Sequence, residues 1–356
     1  MDIKILMQKM VDKNASDLLY RAGGIARMRI DGKIIPVDSQ ILSVEDVMLA
    51  TEQLTNARQR EVFKNKLDVD FAIYLDEFDR RFRVSIFMQR NWPSIVIRNV
   101  RNSISVFEDL NLPAETLKKL SLETRGIVLL TGSMGSGKST TIASMIEYIN
   151  NNSQKHILTA EEPIEFTFED KQSIINQREL GIDVTSYPAA LRAFTLQSPD
   201  VLFIGNIRDY ETVSSAMAAA ETGVLVLSTL HTINASQTVE RLINFFPPHQ
   251  HQEVRNQLST LLKGVISLRL VPSKNGIGRI PAYEVMLLTP TISRLIREGK
   301  IWEIPQFIDD GAIFGMQSFN QSLIKLVRED KITEEEAALA ADSRDEFMLS
   351  LKGIKK

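Results

Sequence analysis

Apolar and polar residues alternate with clear periods along the N-terminal part of the chain. Residues 1–13 repeat apolar side chains at the spacing of one helical face and predict a helix. The stretch ARMRIDGKIIPV alternates and turns at Asp31-Gly32, which predicts a β-hairpin. Residues 43–65 open with SVED, which resembles a capping box, and predict one amphipathic helix. The segments DFAIYL, RRFRVSIFMQ and SIVIRNV alternate as strands, so residues 1–98 predict a small α+β domain.

The pattern changes after residues 99–113, where NSIS and LNLP predict a linker. Residues 114–356 begin with short, continuous apolar strands, namely GIVLLTG, HILTAE, VLFIGN and VLVLSTLH. Helices are predicted between these strands at residues 139–151, 188–196 and 210–221. Continuous apolar strands with helical crossovers predict a parallel sheet covered on both faces, and therefore an α/β fold. Beyond Ser236 we expect mostly helix, with RIPAYEVMLL as a candidate strand.

Composition limits the classes of function. The chain has 356 residues, enough for two domains, with 44% apolar and 24% charged residues and a net charge of −3, which argues against a general binder of polyanions. It has no cysteine, which excludes disulfides and thiolate metal sites. No apolar run reaches the roughly 18 residues that a membrane span needs, and the first residues lack the apolar run of a secretory signal. We therefore expect a cytoplasmic protein that could still touch a membrane complex.

The stretch TGSMGSGKST carries the clearest chemistry, because its residues 132–139 satisfy G-x-x-x-x-G-K-[ST] between a predicted strand and a predicted helix. Its glycines let backbone N–H groups point at phosphate oxygens, and the helix adds the positive end of its dipole. Lys138 would neutralise the β- and γ-phosphates, and the Ser139 hydroxyl would ligate Mg²⁺. ATP and Mg²⁺ are the expected cofactors. The predicted nucleotide-binding residues are Gly132, Ser133, Met134, Gly135, Ser136, Gly137, Lys138, Ser139 and Thr140.

Three further stretches narrow the function: LTAEEPIEF, QSPDVLFIGNIRDYET and AAETGVLVLSTLHT. With the glycine-rich loop they resemble the Walker A, Asp-box, Walker B and His-box series of secretion and pilus motor ATPases. NQREL, TISRLIREGK and FGMQSFNQSL are similar to the type IV pilus retraction ATPases PilT and PilU, and RLINFFPPHQHQEV and EEAALAADSRDEF resemble PilU more than PilT. This resemblance implies a PAS-like N-terminal domain over residues 1–98, a RecA-like P-loop NTPase domain with a helical C-terminal region over residues 114–356, and a homo-hexameric ring.

The resemblance also implies roles for individual residues. Glu161 matches the Glu of the Asp box and would polarise water or support magnesium. His231 matches the second histidine of the His box and would sense the γ-phosphate. Asp200 begins the Walker B strand and would orient the magnesium shell, with a turn cap after Pro199 as the alternative.

Arginine residues from a neighbouring subunit would complete each site in such a ring, because a guanidinium neutralises charge that develops on the phosphates. Arg81, Arg83 and Arg98 lie where the family places such residues, and Arg81 and Arg83 alternate on one strand face. The alternative is an exposed cationic face without a catalytic role.

The chain departs from the family pattern at four positions. Asn206 stands where the Walker B motif has the Glu that acts as the base, and an amide can hold water but cannot take a proton. Val224 replaces the first His-box histidine, Leu196 replaces an arginine, and Leu19 stands where the N-terminal domain has histidine. Together these departures predict that nucleotide binding is retained and that turnover is weakened.

Two functions therefore remain open. One is an active ATPase motor that drives pilus retraction and twitching motility; the other is an accessory ring that hydrolyses ATP slowly and acts through a PilT-like partner. The resemblance implies an inner-membrane, PilC-like platform protein as a further partner, with the protein peripherally associated with the inner membrane at the pilus base. A nucleic-acid motor is disfavoured because no basic stripe is interleaved with aromatic residues. A pilus extension or secretion ATPase is disfavoured because those proteins usually have longer N-terminal regions and often a tetracysteine zinc site.

Overall fold

The computed structural model describes residues 2–30, 32–78, 80–100, 104–276 and 278–353. Its contacts divide the chain into two compact units. The first comprises Met1–Ser103 together with Pro163–Thr167, and the second comprises Ile104–Glu162 and Phe168–Lys356. A short segment from the middle of the chain thus belongs to the N-terminal unit. Among the described residues, no helix has the length and apolar character that a membrane crossing requires.

An antiparallel sheet of six strands forms the centre of the first unit. The strands are β1 (Asp17–Arg21), β2 (Ile25–Ile30), β3 (Lys33–Ile41), β4 (Asp68–Leu75), β5 (Arg80–Gln89) and β6 (Trp92–Val100). Their order across the sheet is β3-β2-β1-β6-β5-β4. Alternation sets the buried face: in β5, Phe82, Val84 and Ile86 are buried and the residues between them are only partly so. The predicted hairpin is present, with Ile30 opposite Lys33, and Asp31 of its predicted turn lies outside the described residues.

Three helices accompany this sheet: α1 (Ile3–Asp12), α2 (Val44–Leu54) and α3 (Ala57–Lys66). The prediction of one helix over residues 43–65 was wrong. The chain is extended at Thr55, and Asn56 starts a new helix by accepting a hydrogen bond from the Gln59 N–H, while the Gln59 side chain accepts one from the Asn56 N–H. The apolar periodicity runs across this break, but the Asn-x-x-Gln capping box marks it in the sequence.

A mainly parallel sheet of seven strands forms the centre of the second unit. The strands are β7 (Gly126–Thr131), β8 (His156–Glu161), β9 (Ile174–Glu179), β10 (Val201–Ile204), β11 (Leu225–Leu230), β12 (Leu262–Pro272) and β13 (Arg279–Leu287). Their order is β13-β12-β7-β11-β10-β8-β9, and only β12 and β13 pair antiparallel. Ile127 and Leu129 of β7 enter one apolar cluster, while Val128 and Leu130 enter another. The sheet is therefore buried on both faces, which confirms the predicted α/β architecture.

Eleven α-helices are described in the second unit. They are α4 (Ala114–Ser121), α5 (Lys138–Asn152), α6 (Tyr187–Phe194), α7 (Tyr210–Glu221), α8 (Ala235–Asn244), α9 (His251–Leu261), α10 (Pro290–Glu298), α11 (Ile304–Asp309), α12 (Phe319–Arg328), α13 (Glu334–Ala340) and α14 (Arg344–Leu351). The predicted helix over residues 210–221 has the bounds of α7.

Strands β1, β9 and β12 were not predicted. The expectation of mostly helix beyond Ser236 was wrong for β12, which begins at Leu262 directly after α9 ends at Leu261. No turn residue separates the two elements, and the first residues of β12 carry a register irregularity around Gly264. The local sequence therefore does not predict where the helix ends and the strand begins. The segment is a strand because it pairs with β7 and β13.

Removal of the Asn56 cap provides a test of the break between α2 and α3. Asn56→Ala should destabilise α3 by about 1 kcal/mol, because the Gln59 N–H loses its side-chain acceptor. Amide exchange over α3 should then rise by roughly fivefold in hydrogen-exchange mass spectrometry, while α2 exchanges as before. Gln53→Ala, an exposed position near the end of α2, serves as the control. Unchanged exchange over α3 would contradict the assigned cap.

Candidate active site

Four loops meet at the carboxyl edge of the parallel sheet. Thr131, the last residue of β7, lies opposite Leu230, the last residue of β11. Ile204, the last residue of β10, lies opposite Ala160 of β8 and Ser228 of β11. The loops that follow these strands therefore begin at the same edge, where open α/β sheets bind ligands. The structure brings together here the glycine-rich loop, Glu161, Asn206 and His231.

The glycine-rich loop, residues 132–137, connects β7 to α5. Gly132 has a φ of +138°, and a Cβ atom there would lie 2.4 Å from the carbonyl oxygen of Leu268. Glycine is therefore required at the point where the loop leaves the sheet. Met134 is 90% exposed at the loop surface, and Ser139 and Thr140 lie in the first turn of α5, both partly buried.

Lys138 is buried inside this loop. Its ammonium group donates hydrogen bonds to the carbonyl oxygens of Gly132 at 2.7 Å and Ser133 at 2.8 Å. The buried hydroxyl of Ser136 has no hydrogen-bond partner within the described part of the chain. A cation that can exchange carbonyl partners and an unsatisfied hydroxyl both suit an oxyanion with several oxygens, so these residues fit a nucleoside triphosphate.

His231 follows the last residue of β11 and reaches the loop. Its Nδ1 lies 3.5 Å from the Lys138 ammonium nitrogen. Partial desolvation lowers the pKa of the His231 imidazole from its ordinary value of 6.5, and the positive charge of Lys138 lowers it further. The ring is therefore neutral at pH 7 and retains a nitrogen that can accept a hydrogen bond.

Glu161 ends β8 with its side chain held in place. Its Oε1 accepts hydrogen bonds from Thr159 Oγ1 at 2.6 Å and from Gln177 Nε2 at 3.1 Å, and the residue is only 6% exposed. A carboxylate that is buried and oriented in this way can accept a hydrogen bond from water in a defined direction.

Asn206 lies just past the end of β10 and is 6% exposed. The preceding carbonyl, that of Gly205, accepts a hydrogen bond from Thr229 Oγ1 at 2.7 Å, which fixes the backbone. The side-chain oxygen of Asn206 is buried and has no partner among the described residues. An unsatisfied buried oxygen is costly, so this amide suits a water molecule or ligand group that donates a hydrogen bond to it.

Asp200 does not join this group, and its expected place in the magnesium shell was wrong. Its carboxylate accepts a hydrogen bond from the His156 N–H at 2.9 Å, and its carbonyl accepts one from the Leu225 N–H. His156 and Leu225 begin β8 and β11, so Asp200 lies at the amino edge of the sheet. The loop lies beyond the opposite edge, a strand length of roughly 20 Å away. The bond from the His156 N–H joins two residues that are 44 positions apart in the chain, so it is not the helix or turn cap after Pro199 that was the alternative.

Two of the departures from the family pattern also lie away from the site. Val224 immediately precedes β11 at the amino edge and packs in the apolar core. An apolar side chain suits this environment better than the histidine of the family pattern. Leu196 is 87% exposed just after α6. Asn206 alone among these substitutions contributes a side chain to the carboxyl edge described above.

Arg81, Arg83 and Arg98 belong to the first unit. Arg83 lies directly opposite Arg98 across β5 and β6, and Arg98 is opposite Asp17 of β1. The Arg98 Nε lies 3.0 Å from an Asp17 oxygen, so one guanidinium of the set is already held by a carboxylate. Arg81 lies two residues from Arg83, on the face opposite the buried Phe82.

A cavity of about 210 Å³ adjoins this cationic face within the first unit. Arg83, Arg98 and Asn99 line it together with residues 163–166, which follow Glu161 and Glu162 in the chain. Two guanidinium groups and the carboxylate of Glu165 therefore share the lining of this cavity.

Residues without a motif complete the carboxyl edge and were missed from the sequence. Arg208 pairs with Glu162 at 2.8 Å. The Tyr187 hydroxyl packs against Gly205, where a Cβ atom would come within 2.8 Å of it, and burial raises the pKa of this phenol. The glycine before Asn206 was the one signal in the sequence that a side chain from another element approaches at this point.

Comparisons with known proteins agree with this architecture. The sequence pattern of the family described as "Type II/IV secretion system protein" matches residues 1–307. The chain is 41% identical to the type IV pilus ATPase PilU of Pseudomonas aeruginosa over 99% of its own length and 92% of that protein. It is 38% identical to the type IV pilus retraction ATPase PilT of the same organism over 98% of its own length and 100% of that protein. The crystal structure of the pilus retraction motor PilT with bound ADP matches with a TM-score of 0.90 at 40% identity, covering 97% of this chain and 98% of that one. The resemblance to the type IV pilus retraction ATPases, which the motifs indicated, is confirmed.

The ionisation of His231 gives a direct test of the site geometry. With ¹³C-labelled histidine and the signal assigned by His231→Gln, the His231 titration midpoint should lie below 6.5. Lys138→Met should raise that midpoint, because it removes the neighbouring cation and leaves a side chain of similar length. A midpoint at or above 6.5 in the unmodified protein, or one that Lys138→Met leaves in place, would contradict the contact between the two residues.

Proposed function

The chain belongs to the type II/IV secretion system protein family, and we propose that it is an ATP-binding motor subunit that drives or assists the retraction of type IV pili. The observation that carries this proposal is the buried Lys138 in a complete phosphate loop, joined by Glu161, Asn206 and His231 at one edge of the sheet. The likeness to PilU and PilT over nearly the whole chain supports the pilus as the machine that it serves.

Nucleotide binding follows from the loop. The backbone N–H groups of residues 132–140 surround the phosphates, and Lys138 exchanges its bonds to the loop carbonyls for bonds to the β- and γ-phosphates. The Ser139 hydroxyl, in the first turn of α5, would hold Mg²⁺, which would neutralise phosphate charge. The neutral imidazole of His231 accepts or donates one hydrogen bond near the γ-phosphate.

Hydrolysis requires a water molecule in line with the γ-phosphate. Water attacks the phosphorus, the bond to the bridging β–γ oxygen breaks, and ADP and inorganic phosphate leave. The oxygen of Asn206 orients the water, but an amide takes no proton, so the proton passes to Glu161 or to the phosphate itself. Loss of a general base typically lowers the rate by about 10²- to 10⁴-fold, and slow turnover is therefore expected.

Assembly supplies the remaining groups. In a homo-hexameric ring, Arg81, Arg83 and Arg98 of the N-terminal unit, a PAS-like domain in this proposal, face the nucleotide of a neighbouring subunit. The ring acts in the cytoplasm at the inner membrane, against a PilC-like platform protein and together with a PilT-like ATPase. An accessory ring that works mainly through that ATPase is the second candidate, and the amide at residue 206 is the observation that favours it.

A matched pair of substitutions at residue 206 tests the proposed mechanism. Asn206→Glu should raise steady-state phosphate release by at least tenfold, because it adds an acid where the water is oriented. Asn206→Gln, which has the same length but no acid, should not raise the rate. The unmodified protein should turn over well below about 1 s⁻¹, the low end of ordinary phosphoryl-transfer rates.

Turnover above about 1 s⁻¹ by the unmodified protein would refute the assigned role of the amide. So would a rise in phosphate release in Asn206→Gln equal to that in Asn206→Glu. Lys138→Ala should abolish binding of a fluorescent ATP analogue. Full binding by Lys138→Ala would refute the nucleotide site itself.

A further inference from the structure

A row of three polar side chains crosses the sheet beneath the phosphate loop. Thr131, Ser267 and Glu284 lie directly opposite one another on β7, β12 and β13. The Thr131 hydroxyl donates to Ser267 Oγ at 3.0 Å, and the Ser267 hydroxyl donates to Glu284 Oε1 at 3.2 Å. All three residues are buried, and Thr131 immediately precedes Gly132. The row thus links the starting point of the phosphate loop to the edge strand of the sheet.

The same oxygen of Glu284 holds a second element. It accepts a hydrogen bond of 2.7 Å from the backbone N–H of Ala235, the first residue of α8. Ala235 follows His231 by one short loop, and the N–H groups of a first helical turn have no partner within the helix. One carboxylate oxygen therefore joins the base of the phosphate loop to the end of the segment that carries His231.

Stability alone does not account for an acid at this position. Glu284 is only 8% exposed, and burial raises the pKa of its carboxyl to about 7, against the opposing effects of the Ala235 N–H and the Ser267 hydroxyl. Burying an ionisable group is unfavourable, and apolar residues often replace buried polar groups without loss of stability. What an apolar side chain cannot supply is one acceptor shared by two elements.

We propose that Glu284 is a positioning residue of the nucleotide site, which fixes the phosphate loop and the His231 segment relative to each other through its shared oxygen. His231 is then already in position when phosphates bind the loop. Part of the entropic cost of ordering the two segments is therefore incurred before the ligand binds. This inference rests on the proposed function, because it assigns the row to the binding of the nucleotide phosphates.

Binding of a fluorescent ATP analogue to the full chain tests the proposal. Glu284→Leu, which keeps the volume and removes the acceptor, should weaken binding by about 5- to 30-fold, the effect typical of a buried donor left without its partner. Glu284→Gln should stay within about threefold of the unmodified protein, because its amide oxygen accepts the same two bonds. Ser267→Ala is a smaller change that removes the two hydrogen bonds between Thr131 and Glu284 and leaves the bond from Ala235. It should weaken binding in the same direction and gives the same test if Glu284→Leu does not fold.

Ser322→Ala is the matched control. The Ser322 hydroxyl accepts a hydrogen bond from the N–H of Tyr283, the neighbour of Glu284 on β13, and is equally buried, but it belongs to α12. This variant also leaves a buried N–H without its partner, and yet it should bind the analogue within about twofold of the unmodified protein. The titration midpoint of His231 should rise in Glu284→Leu, as the segment loosens, and not in Ser322→Ala.

Three results would overturn the proposal. The first is that folded Glu284→Leu binds the analogue as tightly as the unmodified protein. The second is that Glu284→Gln loses as much affinity as Glu284→Leu, and the third is that Ser322→Ala does so. Failure of the unmodified protein to bind the analogue would instead refute the proposed function, and the inference would fall with it.

Discussion

The parallel pairing of β7, β11, β10 and β8 is the constraint on which the rest of the second unit depends. Because the four strands run in one direction and are buried on both faces, their carboxyl ends reach one edge together. The glycine-rich loop, His231, Asn206 and Glu161 each follow or end one of those strands. None of these residues is near another in the chain, and the sheet alone makes them neighbours.

The side chains at that edge support the proposal of a site that holds phosphate and splits it slowly. Lys138 is enclosed by carbonyl oxygens of its own loop, and partial desolvation together with that cation lowers the pKa of His231. Glu161 is oriented by two donors, whereas Asn206 offers an oxygen without a partner and no proton acceptor. An amide has nearly the shape of the acid but takes no proton, and the proposal of retained binding with slow turnover rests on that difference.

The antiparallel edge of the sheet extends the site beyond its motifs. Through Ser267, Glu284 reaches the residue that precedes the phosphate loop, and through Ala235 it reaches the helix that follows His231. β12 and β13 therefore do more than cover β7. They supply a buried acceptor that ties two ligand-facing segments to one strand, and rigid elements of this kind hold binding groups better than loops do.

The sequence by itself determined the parts that depend on local chemistry. The spacing of Gly132, Lys138 and Ser139 predicted a phosphate-binding loop, and continuous apolar runs identified β7, β8, β10 and β11, because both signals lie within a few neighbouring residues. Tertiary structure alone decided that Asp200 and Val224 lie at the amino edge, that β12 follows α9 without a break, and that Glu284 contacts Ser267 and Ala235. These outcomes depend on strand order, direction and register, which are set by contacts between residues far apart in the chain and leave no mark in any one segment.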